Sequence, residues 1–268
     1  MNNIDFTVLI STYWNDDEER LKKALSSIYN NTIKPKEIIL IIDGDIKGES
    51  MKVVNEFKKR KDFISYKLTK NIGLAQALNF GLKKVTTEWV ARADADDINL
   101  SYRFEKQINF LKENNKIDLF GSAIKEISDD GYFIRSTPLT ENEIIKYAKK
   151  RNPFNHMTVM FRLNKILEVG GYPDLLKMQD YALWAKLISK KIRVKNMSEV
   201  LVHVSGGSNL IRRRGGLNYV MSEIKLQYYL YRNNIKKLHN ALFDCFQRSI
   251  IFLLPSYFRK IIYEKFLR

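Results

Sequence analysis

Two hydrophobic periods alternate through the first 125 residues, and this succession constrains the fold more than any other feature of the chain. Residues 6–11 (FTVLIS) and 37–42 (EIILII) are short apolar runs rich in β-branched side chains, the pattern of strands buried on both faces. Between them Leu21, Leu25 and Ile28 recur at near-helical spacing behind two N-cap candidates, Asp16 and Asp17, and Pro35 punctuates the segment. A polar helix at about 49–59, a strand at 64–68, a helix at 73–85 and a strand at 88–93 (EWVARA) repeat the unit. Strand and helix in strict succession call for a parallel sheet covered by helices, so these units predict an α/β, Rossmann-like half.

The pattern continues through a helix at 102–112 and a strand at 117–124, and Asp129-Asp130-Gly131 marks a hairpin turn. The order then becomes mixed. Residues 152–161, the loop 170–174 (GGYPD) and a helix at 180–189 read as a substrate-receiving half. From Arg212 onward the chain reads as helical. A length of 268 residues suits one large domain with an appendage, and 45% apolar residues supply an ample core, which excludes general disorder.

The net charge of +16 calls for a polyanionic partner or a membrane surface. It is concentrated at the C-terminal end, where residues 212–268 hold 12 Lys and Arg against 3 Asp and Glu. Cys245 is the single cysteine, so no intrachain disulfide is possible, a Cys-based zinc site is disfavoured, and the chain fits a reducing cytosol. Neither a secretory signal nor an apolar run of the roughly 20 residues that span a bilayer is visible. In the last segment Phe258, Ile261, Ile262 and Phe266 recur at helical spacing among Arg259, Lys260, Lys265 and Arg268. That is the makeup of a helix lying on an anionic lipid surface, or of one packed on the main domain with its charges in water.

Ligands of an open parallel sheet collect at the carboxyl ends of its strands. Here those ends are Ser11-Thr12-Tyr13, Asp43-Gly44 and Arg92-Ala93-Asp94-Ala95-Asp96-Asp97. Three carboxylates within four residues repel one another, and a divalent cation is the usual relief; Mg²⁺ or Mn²⁺ suits carboxylate and phosphate oxygens alike. A solvated acidic turn capping the next helix is the plainer alternative.

Seven segments in order over about residues 5–205 (VLISTYW, IIDG, NIGLAQALNFGL, WVARADADD, NPFNHMTVMFR, GGY and QDYALWAKL) resemble the family 2 glycosyltransferases. These are nucleotide-sugar transferases of the GT-A fold, many of which build bacterial capsule and O-antigen polysaccharides. The resemblance implies a mixed central sheet, a catalytic domain at 1–210 divided into a nucleotide-sugar half (1–125) and an acceptor half (126–210), and a basic helical tail at 211–268. It puts Ser11, Thr12 and Tyr13 beside the nucleotide and Asp43 on the base, usually uracil. Asn71 and Gly73 fall at a helix start, where backbone N–H groups favour an anion. Asp94 and Asp96 match the family's Asp-x-Asp signature, Asp94 toward the ribose and Asp96 on the metal, with Asp97 helping to orient them. Arg92 pairs with a carboxylate or with phosphate.

The catalytic base of an inverting transfer deprotonates the acceptor hydroxyl as it attacks opposite the leaving diphosphate. By similarity that base is Asp180, with Trp184 one helical turn later; Gln179 departs from the Glu or Asp usual before it. His156 is assigned to the acceptor or sugar pocket, and His203 stands either as a third metal ligand or as a satisfied structural group. Arg212, Arg213 and Arg214 form a diphosphate clamp or a solvated basic stretch.

The implied activity is transfer of a hexose (glucose, galactose or an N-acetylhexosamine) from a UDP-sugar to a polyprenyl-diphosphate-linked saccharide, by a peripheral enzyme on the inner face of the plasma membrane. Three other readings stay open. A nucleotidyltransferase would normally show a Gly-rich phosphate loop, which VLISTYW lacks. A nucleic-acid-binding protein would explain the charge but not the acidic turn, so no nucleic-acid partner is expected. A catalytically silent relative acting as a subunit would explain Gln179.

Overall fold

The computed structural model describes residues 4–128, 131–205 and 215–262. Strand β1 (Phe6–Tyr13) is followed by α1 (Glu18–Tyr29), β2 (Glu37–Asp43), α2 (Gly48–Phe57), β3 (Phe63–Lys67), α3 (Leu74–Leu82) and β4 (Trp89–Asp94). All four strands run parallel, in the order β3-β2-β1-β4. The expected strand–helix units are therefore present. Their ends shift by one to three residues where side chains take over from backbone pattern. Helix α3 stops at Leu82 instead of 85, and the buried Glu37 carboxylate then accepts from Thr86 N at 2.9 Å and from Thr7 Oγ1 at 2.7 Å.

Beyond β4 come the two-residue β5 (Ile98–Asn99), α4 (Arg103–Glu113), β6 (Leu119–Ser128), β7 (Gly131–Arg135), α5 (Glu141–Tyr147), β8 (Met160–Arg162), α6 (Leu163–Glu168), α7 (Gln179–Ser189) and β9 (Val194–Ser205). The short strand β8 is antiparallel to both β4 and β6, and it joins the two halves of the chain in one nine-stranded sheet ordered β3-β2-β1-β4-β8-β6-β9-β5, with β7 paired to β6. The β6–β7 hairpin falls where the Asp-Asp-Gly turn is expected; residues 129 and 130 lie outside the described residues. The 12-residue β9, parallel to β6, has no clean alternation to announce it because its register slips near Ala123.

Alternation along the central strands divides the core. Leu9 of β1 and Ile39 and Ile41 of β2 face a layer containing α3 and α7, through Leu78, Leu82, Leu183 and Trp184. Phe6, Val8, Ile10, Ile38, Leu40 and Ile42 face the opposite layer, with Leu21, Leu25, Val54 and Phe104 from α1, α2 and α4. The tail forms α8 (Leu217–Arg232), α9 (Leu238–Leu253) and α10 (Ser256–Ile262). Leu226 and Leu230 of α8 enter the first layer, so the tail is anchored to the catalytic core. No helix among the described residues is long and apolar enough to cross a membrane.

Candidate active site

Strand pairing builds the acidic turn. In the β1–β4 register Ser11 stands opposite Asp94, and the chain after β4 turns directly into β5, which β9 holds through the pairs Ile98–His203 and Asn99–Val202. The fully buried Arg103 fastens the turn from behind: it donates to the Arg92 carbonyl at 2.7 Å, to Gln107 Oε1 at 3.1 Å and to Asn99 Oδ1. Ligand-capable oxygens of Asp94, Asp96 and Asp97 consequently lie within 4.8 Å of one another. Unit charges about 4 Å apart near a protein surface repel by about 4 kcal/mol, so three ionised carboxylates in this space need a compensating cation. Burial, then Asp94, raises the pKa of Asp96; burial, then Asp94 and Asp96, carries Asp97 up to about 9. This oxygen-only donor set fits Mg²⁺ or Mn²⁺.

Two further side chains complete this centre. Asp17 is the N-cap of α1, accepting from Arg20 N at 3.0 Å. Asp16 instead turns inward, accepting from Thr12 Oγ1 at 2.9 Å and Tyr13 N at 3.1 Å, and burial together with Asp96 and Asp94 raises its pKa to about 6. Arg92 is 2% exposed and pairs with Asp94. Among the described residues its Nε and Nη1 have no partner. An arginine buried with two unpaired N–H groups is costly alone and well prepared for an anion.

Several expected contacts are corrected. Asp43 accepts from Ile72 N at 2.7 Å and Gly73 N at 3.0 Å, while Asn71 Nδ2 donates to the Asp43 carbonyl at 3.2 Å. The Gly73 N–H is thus taken by a carboxylate of the chain itself and is not offered to a ligand. Gly44, at φ +84°, allows this close approach, since a Cβ there would lie 2.6 Å from Asn71 N. Thr12 is buried on Asp16, whereas Tyr13 is 38% exposed. His203 is outside the carboxylate group; Ser205 is the β9 residue that reaches the turn, donating to the Asp96 carbonyl at 3.4 Å, and two residues of strand put His203 roughly 7 Å farther along. Arg212, Arg213 and Arg214 lie outside the described residues.

The second centre is the start of α7. Met178, left-handed at φ 61°, turns the chain so that Asp180 occupies the first helical turn, and Asn152 Nδ2 donates to Asp180 Oδ2 at 2.6 Å. Burial raises the pKa of Asp180, against the Asn152 hydrogen bond and the charge of Arg135. Trp184 is fully buried, edge-on to Phe154 and His156, and Gln179 is buried as well, so neither presents an exposed side chain for the expected sugar or acceptor contact. His156 is buried too, its Nε2 2.8 Å from the Tyr172 hydroxyl. Burial, then the charge of Arg92, pushes its pKa well down, which keeps the ring neutral. It supports the site without lining it.

Tyr172 joins the two centres, since its phenol feels the charges of Arg92, Asp180 and Asp94 together. Asn79 of α3 grips the Tyr172 backbone on both sides, N–H and carbonyl, at 2.8 Å each. This contact accounts for the Gly-Gly-Tyr segment, because a Cβ on Gly171 (φ +71°) would stand 2.3 Å from Asn79 Oδ1. Local reading missed Asp16 as a site residue, Asn152, Tyr172 and Arg103. Asn152 lies inside a segment quoted for the resemblance, and that was its one available signal.

The pattern described as Glycosyl transferase family 2 matches residues 7–175, more than half of the chain. The protein belongs to the family 2 glycosyl transferases. The UDP-Gal:alpha-D-GlcNAc-diphosphoundecaprenol beta-1,3-galactosyltransferase of Escherichia coli is 38% identical over 266 residues, covering 98% of this chain and 96% of the relative. Amylovoran biosynthesis glycosyltransferase AmsE of Erwinia amylovora is 36% identical over 264 residues, covering 97% and 98%. Among solved structures, residues 1–349 of S. aureus TarS in complex with UDP-GlcNAc match with a TM-score of 0.69 at 16% identity, covering 99% of this chain and 76% of that one. This glycosyltransferase accordingly has the GT-A fold with a helical C-terminal region.

Proposed function

We propose that this glycosyltransferase moves a hexose, with inversion, from a UDP-sugar to a saccharide carried on a polyprenyl diphosphate, during assembly of a bacterial surface polysaccharide. The observation that carries the reading is the adjacency of two unlike acidic centres: a three-carboxylate turn beside a buried arginine, and a single carboxylate held by an amide. The names of the Escherichia coli and Erwinia relatives support the donor, acceptor and pathway class.

In this reading Asp94, Asp96 and Asp97 hold Mg²⁺ or Mn²⁺, which when bound neutralises diphosphate charge. Ser11 and Tyr13 line the nucleotide site, and Asp43 uses its remaining lone pairs on the base while bracing the 71–73 loop. The unpaired N–H groups of Arg92 are directed to the donor's phosphate or sugar oxygens. Asp180 accepts the proton of the acceptor hydroxyl as the hydroxyl oxygen attacks the anomeric carbon and the bond from that carbon to the diphosphate oxygen breaks, UDP leaving with the electron pair; Asn152 fixes the orientation of the Asp180 carboxylate. Residues 1–125 serve the donor and 126–210 the acceptor, although the boundary lies inside β6 and both portions share the sheet. The enzyme works in the cytoplasm at the inner face of the plasma membrane, with the tail from 211 serving attachment.

The test is a donor screen on the purified full chain, measuring nucleotide diphosphate release with a lipid-diphosphate sugar acceptor, with and without Mn²⁺. UDP-hexose turnover that needs both acceptor and metal is expected. Release from no UDP-sugar under these conditions overturns the proposal.

A further inference from the structure

The tail contains an apolar surface that nothing in the chain covers among the described residues. On α9 the side chains of Leu238, Leu242, Phe243, Phe246, Ile250 and Leu253 are 47–68% exposed. Most recur every three to four residues, so one face of the helix is apolar apart from the exposed His239 in its first turn, while its other face, through Ala241 and Phe252, is buried. A contiguous exposed stripe of this kind marks a binding surface, because single exposed hydrophobics are ordinary but aligned ones are not.

Charge indicates the partner. The two described carboxylates of the tail are spent internally: Glu223 is fully buried 3.7 Å from Arg248, and Asp244 pairs with Lys236. Lys225, Arg232 and Lys237 are exposed. The tail therefore presents aliphatic and aromatic groups with cations and no outward carboxylate among its described residues, which matches an anionic lipid interface. The sequence points to the last segment for this contact, but most of that segment lies outside the described residues and Arg259 is buried, donating to the carbonyls of Phe252 at 3.2 Å and Leu254 at 2.7 Å.

We propose that the outward face of α9 is the membrane-docking surface, inserting its leucines and phenylalanines among the acyl chains of an anionic bilayer while the neighbouring basic residues meet the headgroups. The placement also serves the chemistry, an argument that rests on the lipid-linked acceptor proposed above. Arg248 of α9 donates to the carbonyl of Lys150, and two residues on, Asn152 holds Asp180. A docked α9 stands beside the base that receives the acceptor.

Vesicle flotation of the full chain distinguishes the possibilities. Wild-type protein is expected to float with phosphatidylglycerol/phosphatidylcholine vesicles, and Phe243→Ser/Phe246→Ser to bind them at least about tenfold more weakly with an unchanged far-UV spectrum and melting temperature. Unchanged flotation of that variant overturns the proposal. So does a wild-type dimer that the variant converts to monomer with lipid binding intact, which would make a second copy the occupant. If the double variant fails to fold, Arg232→Glu/Lys237→Glu is expected to lose the phosphatidylglycerol dependence, and retention of it overturns the proposal. Transfer to a water-soluble, short-chain acceptor is measured in parallel. Its persistence in the variant separates loss of docking from failure of the assigned reaction, and its absence in wild type counts against the reaction alone.

Discussion

The two acidic centres differ in how each makes a partly desolvated carboxylate tolerable. At the end of β4 three carboxylates crowd together, with Asp16 as a fourth nearby, and neighbouring negative charge adds to burial in raising the pKa values of Asp16, Asp96 and Asp97. At the start of α7, Asp180 belongs to no such cluster among the described residues, and its raised pKa comes from burial, opposed by the Asn152 amide, backbone N–H groups and the charge of Arg135. A crowd of like charges invites a cation; a half-buried carboxylate without like charges beside it invites a proton. In the proposed reading the same residue type therefore takes the metal role in one place and the base role in the other, through its surroundings.

The strongest way to break this contrast is Asp180→Asn. Sugar transfer is expected to fall by about 10²–10⁴-fold, the usual worth of a general base, with UDP affinity unchanged within about twofold by calorimetry. Transfer at the wild-type rate would remove Asp180 from the chemistry. Asp96→Ala should act on the other centre only: metal-dependent UDP binding weakens by roughly 10–100-fold, comparable to losses seen when a metal site is perturbed, while metal-free binding stays as it was. Equal weakening with and without Mn²⁺ would contradict a cation site.

Asn152→Ala sharpens the base assignment. Its amide favours the ionised form of Asp180, so removing it raises an already elevated pKa, and the acid limb of the kcat/KM profile should move to higher pH. An unmoved limb would assign that limb to another group. The smallest effect is expected from Asp16→Asn. The Asp16 pKa is about 6 in the folded chain against 3.8 ordinarily, so between these values the folded state binds more protons and the wild type loses stability as pH rises. The variant lacks that contribution, and its melting temperature should gain on the wild type from pH 4 to 6.5; parallel curves would show that Asp16 does not titrate there.

Much of the sheet was legible because its causes are local. The short apolar runs at 6–11 and 37–42 specify strands buried on both faces, and the acidic turn follows from lying at a strand end. Neighbouring carboxylates were harder. Asp16 and Asp17 are equivalent as cap candidates, and only the inward path of Thr12 and Tyr13 decides that Asp17 caps while Asp16 joins the site. The supports of the site are the least legible part. Asn152 meets Asp180 from 28 residues away and Asn79 meets Tyr172 from 93, contacts that no spacing rule anticipates. Trp184 and His156 illustrate the converse, for membership of a motif marked their positions but not whether they face the cleft or the core.

Strand β8 has only three residues, yet it bonds β4 on one edge and β6 on the other. Strands β4 and β6 are consequently tied into a single sheet, held roughly 10 Å apart by strand spacing. A hinge between them would have to tear that sheet open. The molecule resembles a clamp with fixed jaws: in the proposed reading the gauge between donor and acceptor is set when the chain folds, and opening to admit the sugar or release the nucleotide falls to loops.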